Sequence, residues 1–115
     1  MSQSRPADNH SALDLDHLRQ TTFGDAGLQR EVLGMFSKQA AHLVGALGAL
    51  PPQTGALLHT LKGSARAIGA LRVADRAERL EAVIRDGGDT AAALGALDAA
   101  VGEARAAIAA LLARP

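Results

Sequence analysis

Apolar residues recur at intervals of three and four along most of this chain, and this spacing limits the fold more than any other feature. Residues three or four apart lie on one face of an α-helix, whereas a half-buried strand alternates every second residue. The sequence shows no strand-like alternation and no long cluster of β-branched residues. It therefore predicts an all-α protein in which each helix buries one stripe.

Five helical segments are predicted. A short one over residues 11–20 has Leu15 and Leu18 as apolar anchors, and a connection over 21–25 follows it. The four longer segments span about 26–50, 52–68, 71–85 and 91–113. The residues predicted to point inward on them are Leu28, Val32, Met35, Phe36, Leu43, Ala46, Leu47 and Leu50; Leu57, Leu61, Ala65 and Ile68; Val73, Ala77, Leu80 and Ile84; and Leu94, Leu97, Val101, Ala104, Ile108, Leu111 and Leu112.

Proline, glycine and aspartate set the predicted boundaries. Pro51 and Pro52 end the long second helix, because proline disfavours helical backbone in the residue before it. Gly69 is predicted as a C-cap, and Asp89 or Thr90 as the N-cap of the last helix. Four amphipathic helices with short connections predict an antiparallel up-down four-helix bundle, with the short additional N-terminal helix covering one end.

The length and composition exclude several classes of protein. With 115 residues the chain is expected to be one domain, with a flexible segment over 1–10 and the bundle over 11–115. Basic and acidic residues number 12 each, so the chain lacks the positive charge that nucleic-acid binding requires. Residues 1–9 are polar, and no apolar stretch suits a membrane span, so a cytoplasmic protein is expected. Nothing in the sequence suggests more than a monomer.

The chemically informative residue is His59, in the middle of the segment predicted over 52–68. Its face should lie opposite the inner stripe, so the imidazole is expected to point into solvent. The residues that share this face are Gly55, Ala56, Lys62, Gly63 and Arg66.

Two interior glycines flank this histidine by one turn on each side. Each costs about 1 kcal/mol relative to alanine in a helix, so Gly55 and Gly63 need a reason. Access is the simplest one, since neither adjacent turn then shields the ring from a bulky partner. The alternative is a glycine-rich composition, because the chain has 12 glycines.

Lys62 and Glu81 are the candidates for helping His59. An ammonium group at Lys62 could pair with negative oxygens attached to the ring, although most exposed lysines are simply solvated. Histidine exchanges its proton near neutral pH, so an outer nitrogen can act as a nucleophile if an acceptor holds the inner N–H. Glu81 could be that acceptor or a boundary glutamate without a special role. His10, His17 and His42 lack the lysine and are expected at the surface or its boundary, and no residue spacing suggests a metal site.

The run His59-Thr60-Leu61-Lys62-Gly63-Ser64-Ala65, followed by 68–70, resembles the phosphorylation-site signature of histidine phosphotransfer (HPt) domains. Residues 28–36, with Gly24-Asp25 before them, resemble the second helix of that family, and the similarity extends from about Leu13 to Leu112. The family often has alanine before the histidine, where this chain has Leu58.

The resemblance implies a phosphocarrier rather than an enzyme. His59 would accept a phosphoryl group from the aspartate of a receiver domain and pass it to another receiver, in a multistep phosphorelay fed by a hybrid histidine kinase. Lys62 would support the phosphate, and Glu81 would orient the ring. No cofactor is expected on this chain, whereas Mg²⁺ is expected in the receiver. The residues assigned to partner access are Gly55, Gly63, Ser64 and Arg66.

Two other interpretations stay open. The bundle could be an adaptor that binds a signalling partner through the same face without phosphate. It could also be the phosphoacceptor module of a larger histidine kinase, although the start at Met1 and the end at Pro115 favour a free-standing protein. A kinase in its own right is not expected, because no glycine-rich nucleotide-binding motif is present.

Overall fold

A computed structural model describes residues 12–114, which form five α-helices and no strands. The all-α class and the five helical segments are thus confirmed, while the segment predicted over 1–10 lies outside the described residues. No helix in the described part of the chain is long and apolar enough to span a membrane. The helices are α1 (Leu15–Thr21), α2 (Ala26–Leu47), α3 (Thr54–Ile68), α4 (Leu71–Asp86) and α5 (Thr90–Leu112).

The four long helices form a closed ring of contacts. Each packs against the next along the chain, and α5 packs back against α2. The short α1 packs against α3. Each long helix therefore buries the stripe between its two neighbours and leaves its outer face in solvent.

Aspartate side chains begin three of the helices. Asp14, Asp25 and Asp89 each accept a hydrogen bond from a backbone N–H in the first turn, at 3.0, 2.9 and 3.0 Å. These bonds satisfy N–H groups that have no partner within the helix. Because Asp14 is the cap, α1 begins at Leu15; residue 11, where the predicted segment starts, lies outside the described residues. The cap of α5 is Asp89, one of the two predicted candidates.

The second helix is shorter than predicted. It ends at Leu47, and Leu50 has a left-handed backbone with φ of 46°. Pro51 explains the outcome, because its ring clashes with a helical conformation of the preceding residue. Leu50 was predicted to point inward but is 45% exposed.

The core is aliphatic, with Phe36 as its one buried aromatic side chain among the described residues. Most predicted inward positions are buried or partly buried, but Met35 and Ile84 are 64% and 44% exposed, and those two predictions were wrong. On α3 the inner stripe passes through Leu58, which is 1% exposed, while Leu57 is only partly buried. Each of these more exposed residues is adjacent in sequence to a more buried apolar residue, and helix packing determines which of the two is buried.

The C-terminal end of α3 holds α1 in place. Gly69, the predicted C-cap, has φ of +85°, and its carbonyl oxygen accepts a hydrogen bond from Asp14 N at 2.7 Å. The hydroxyl of Thr21 donates to the carbonyl oxygen of Ala67 at 3.0 Å. Leu13 and Leu18 are buried below these bonds. The short helix is thus fixed to the helix that carries His59.

Replacing Gly69 with alanine should destabilise the protein more than replacing Gly87. Both glycines have a left-handed backbone, with φ of +85° and +83°. A Cβ at Gly69 would lie 2.5 Å from Asp14 O, whereas one at Gly87 would meet nothing within 4 Å. We expect Gly87→Ala to lower the free energy of unfolding by about 1 kcal/mol and Gly69→Ala by about 3 kcal/mol, measured in urea. Equal losses would contradict a close contact between Gly69 and the start of α1.

Candidate functional site

His59 lies on the exposed face of α3, as its spacing predicted. The opposite face of the same helix holds Leu58, Leu61 and Ala65, which are at most 1% exposed. Burial of these three side chains fixes the rotation of α3 about its axis, so the imidazole is directed towards solvent. Among the hydrogen bonds of residues 12–114, none involves the His59 ring. The ring is therefore free to meet a partner.

The two glycines beside His59 leave open space above the helix. Gly55 and Gly63 are exposed, and a Cβ added to either would meet no atom within 4 Å. Packing within the chain therefore does not require glycine at these positions. Because α3 begins at Thr54, Gly55 lies in its first turn, and only Gly63 is an interior helical glycine as predicted. Open helical glycines occur elsewhere too, for example Gly95 and Gly102 on α5. The glycines close to His59 are distinguished by their position and not by their surroundings.

Lys62 lies one turn after His59 and forms an ion pair with Glu81 on α4. Its Nζ donates to Oε1 of Glu81 at 2.7 Å. The side chains are 16% and 26% exposed, so the pair is largely covered. The sequence predicts that Glu81 holds the inner nitrogen of the His59 ring. In the structure its carboxylate accepts a hydrogen bond from Lys62 instead. The cause is that both residues lie at the border where α3 packs against α4.

The remaining candidates lie along α3 on either side of this pair. Ser64 is partly buried and lines a groove of about 350 Å³ between α2 and α3, together with Met35. Gly55 and Glu81 line a second groove, of about 490 Å³, between α3 and α4. Arg66 pairs with an acid on α4 at 3.3 Å, but its side chain stays 53% exposed. The candidates thus share one side of the bundle.

Two exposed apolar residues, Phe23 and Met35, were not recognised as exposed in the sequence. Phe23 is 91% exposed and has φ of 56°, a conformation that is unfavourable for a bulky residue. Met35 is 64% exposed and lines the groove beside Ser64. Packing gains nothing from a strained and exposed phenylalanine. The glycine after it, Gly24, was the available signal, because it marked a turn in which Phe23 had no helical neighbours.

No group of three or more histidine, aspartate or glutamate side chains within residues 12–114 is arranged to hold a metal ion. The charged side chains of α4 are engaged mostly in pairs at the surface, such as Arg72 with Glu103 on α5 at 2.9 Å. The site itself presents an exposed imidazole with a held ammonium group one turn away.

A helical bundle that presents such a histidine is typical of signalling modules that carry a phosphoryl group. The Hpt domain family matches residues 31–114, which is most of the chain, and the protein belongs to this family. Hpt domains take part in histidine phosphotransfer within phosphorelays, where they interact with receiver domains and histidine kinases. The match begins within α2, so it does not include α1. No curated protein and no solved structure matches the chain.

The covered position of the Lys62–Glu81 pair should make it stronger than an exposed pair of similar length. Arg72 and Glu103 serve as the control, because they also join two helices, at 2.9 Å, but their side chains are 38% and 52% exposed. We expect a double-mutant cycle in urea to give a coupling energy of about 1.5 kcal/mol for Lys62–Glu81 and below about 0.5 kcal/mol for Arg72–Glu103. The same coupling energy in both pairs would contradict an effect of burial.

Proposed function

We propose that this protein is a histidine phosphotransfer protein of a multistep phosphorelay, in which His59 accepts a phosphoryl group from a receiver aspartate and passes it to another receiver. The observation that supports this most is the exposed imidazole of His59 one turn before Lys62. Family membership supports the reaction, and the exposure of His59 one turn before Lys62 supports its choice as the acceptor.

The other described histidines fit this role less well. His17 is partly buried on α1, and His42 is exposed on α2, but neither has a lysine three residues further along the chain. His10 lies outside the described residues. His59 therefore has the combination of exposure and a neighbouring cation that phosphate transfer needs.

The transfer step conserves charge without releasing a proton. The outer nitrogen of a neutral His59 ring attacks the phosphorus of the aspartyl phosphate, an N–P bond forms and the P–O bond to aspartate breaks. Aspartate leaves as a carboxylate, and the ring keeps the proton on its inner nitrogen and so becomes positively charged. Transfer to the next receiver reverses these changes. No nucleotide is involved on this chain.

Stabilisation of the transition state is divided between the two proteins. The phosphoryl oxygens carry most of the negative charge, and the receiver is expected to provide a bound Mg²⁺ near them. Lys62 adds a cation from this side. The protein thus acts as a carrier for a receiver that supplies most of the catalysis.

The receiver would dock on the side of the bundle that holds His59. Met35 offers apolar surface there, in the groove beside Ser64, and the open glycines let the partner approach the ring. The further expectations are a monomeric, cytoplasmic protein with antiparallel long helices, phosphorylated through a hybrid histidine kinase.

The direct test is to incubate the protein with a receiver that carries labelled phosphate on its aspartate. We expect the wild-type chain to acquire acid-labile, alkali-stable label, as phosphohistidine requires, and His59→Gln to acquire none. Loss of signal from unfolding is excluded by comparing the far-ultraviolet circular dichroism of the two proteins. A wild-type protein that binds receivers without becoming labelled would contradict the proposal and favour an adaptor. Label that persists in His59→Gln would refute the assigned residue.

Gly63→Gln should slow transfer by about tenfold or more, because its side chain would stand between His59 and the receiver. Gly102→Gln is the matched control, since Gly102 is also an exposed and open helical glycine but lies on α5. Both variants should be slightly more stable than wild type, by about 0.5 kcal/mol, because glutamine is the better helix former. Equal transfer rates in the two variants, measured with the same labelled receiver, would end the argument that Gly63 provides access.

A further inference from the structure

The Lys62–Glu81 pair differs from the other ion pairs of the described residues in how far it is covered. Its side chains are 16% and 26% exposed, whereas every other pair has both partners at 38% or more. A covered pair is held more firmly, because water competes less for its charges. Lys62 is therefore not a freely moving surface cation, and anything that recruits its ammonium group must compete with Glu81.

Phosphorylation of His59 creates that competition. The step described above places a phosphoryl group with two negative charges one turn from Lys62. The ammonium has three N–H donors and can turn towards the new oxygens, but the carboxylate of Glu81 repels them. Lys62 then has two options. It can turn to the phosphoryl group, which leaves the partly covered carboxylate of Glu81 without a cation, or it can stay with Glu81 and stabilise the phosphoryl group less well. Either outcome raises the free energy of the phosphorylated state.

We propose that Glu81 is a positioning residue that sets the equilibrium of phosphoryl exchange by competing with the phosphoryl group on His59 for Lys62. The inference rests on the proposed function of His59. With Glu81 present, the phosphoryl group is bound less favourably on His59 and passes more readily to a receiver aspartate. Glu81 thereby acts through Lys62, and not through the ring nitrogen that we first expected it to hold.

The geometry favours this role over orientation of the ring. The carboxylate of Glu81 already accepts a hydrogen bond from Lys62 at 2.7 Å, while no described hydrogen bond joins it to His59. An acceptor for the inner N–H would stabilise the positively charged phosphohistidine ring and so favour phosphorylation. The two roles therefore predict shifts of opposite sign in the exchange equilibrium when the charge of Glu81 is removed.

The experiment measures the equilibrium constant for phosphoryl exchange between the protein and one receiver, by mixing labelled and unlabelled partners until both bands are constant. We expect Glu81→Gln to shift the equilibrium about tenfold towards phosphohistidine. Glu103→Gln is the control, because it removes the same charge from an inter-helix ion pair on the far side of α4. We expect it to shift the equilibrium by less than about twofold. Circular dichroism verifies that both variants keep their helices.

A second measurement tests whether Glu81 acts through Lys62. In a Lys62→Met background the effect of Glu81→Gln should fall at least about threefold, because no cation is left to compete for. An undiminished effect would overturn the proposal by showing direct repulsion of the phosphate. If Glu81→Gln instead shifts the equilibrium towards the phosphorylated receiver, Glu81 holds the ring and the proposal is wrong. A shift no larger than that of Glu103→Gln would also overturn it.

Failure of the proposed function and failure of the role of Glu81 give different experimental results. If the wild-type chain takes up no label, the proposed function fails and this inference fails with it. If wild type becomes labelled and His59→Gln does not, the function stands. A Glu81→Gln equilibrium equal to that of wild type would then overturn the role of Glu81 alone.

Discussion

Close packing of helices is the constraint on which the rest of this protein depends. Ala40, Ala65, Ala77 and Ala104, one on each long helix, have no exposed surface. A chain with two phenylalanines and no tyrosine or tryptophan must exclude water with small and branched aliphatic side chains, so its helices have to approach closely. Close approach also fixes the rotation of each helix, because only one stripe of side chains fits between its neighbours.

The rotation of α3 creates the site. With Leu58 and Leu61 buried, His59 points outward, and Lys62 lies at the border with α4. At this border a lysine is covered enough for Glu81 to hold it, yet lies one turn from an imidazole in solvent. The exposure of the nucleophile and the restraint on its cation are therefore two consequences of the same packing. A rotation of α3 by one residue would lose both.

Two features of the described residues do not contribute to stability. Phe23 has a strained backbone and an exposed side chain. Gly63 has a lower helix propensity than a larger residue would have, although packing does not require a glycine there. Gly63, which costs free energy in the isolated chain, lies one turn from the residue proposed to react, which is expected where a partner completes the surface.

Local features of the sequence were enough to predict the helices, the cap at Gly69 and the outward direction of His59, since periodicity and backbone preferences act within a few residues. The choice between Met35 and Phe36 as the buried residue was not local, because both are apolar and only the contacts of α2 with its neighbours distinguish them. The partner of Glu81 was beyond prediction for the same reason. Spacing along one helix shows which face a side chain is on. The distance to a side chain on another helix is set only when the helices pack, and this packing places Glu81 within hydrogen-bonding distance of Lys62.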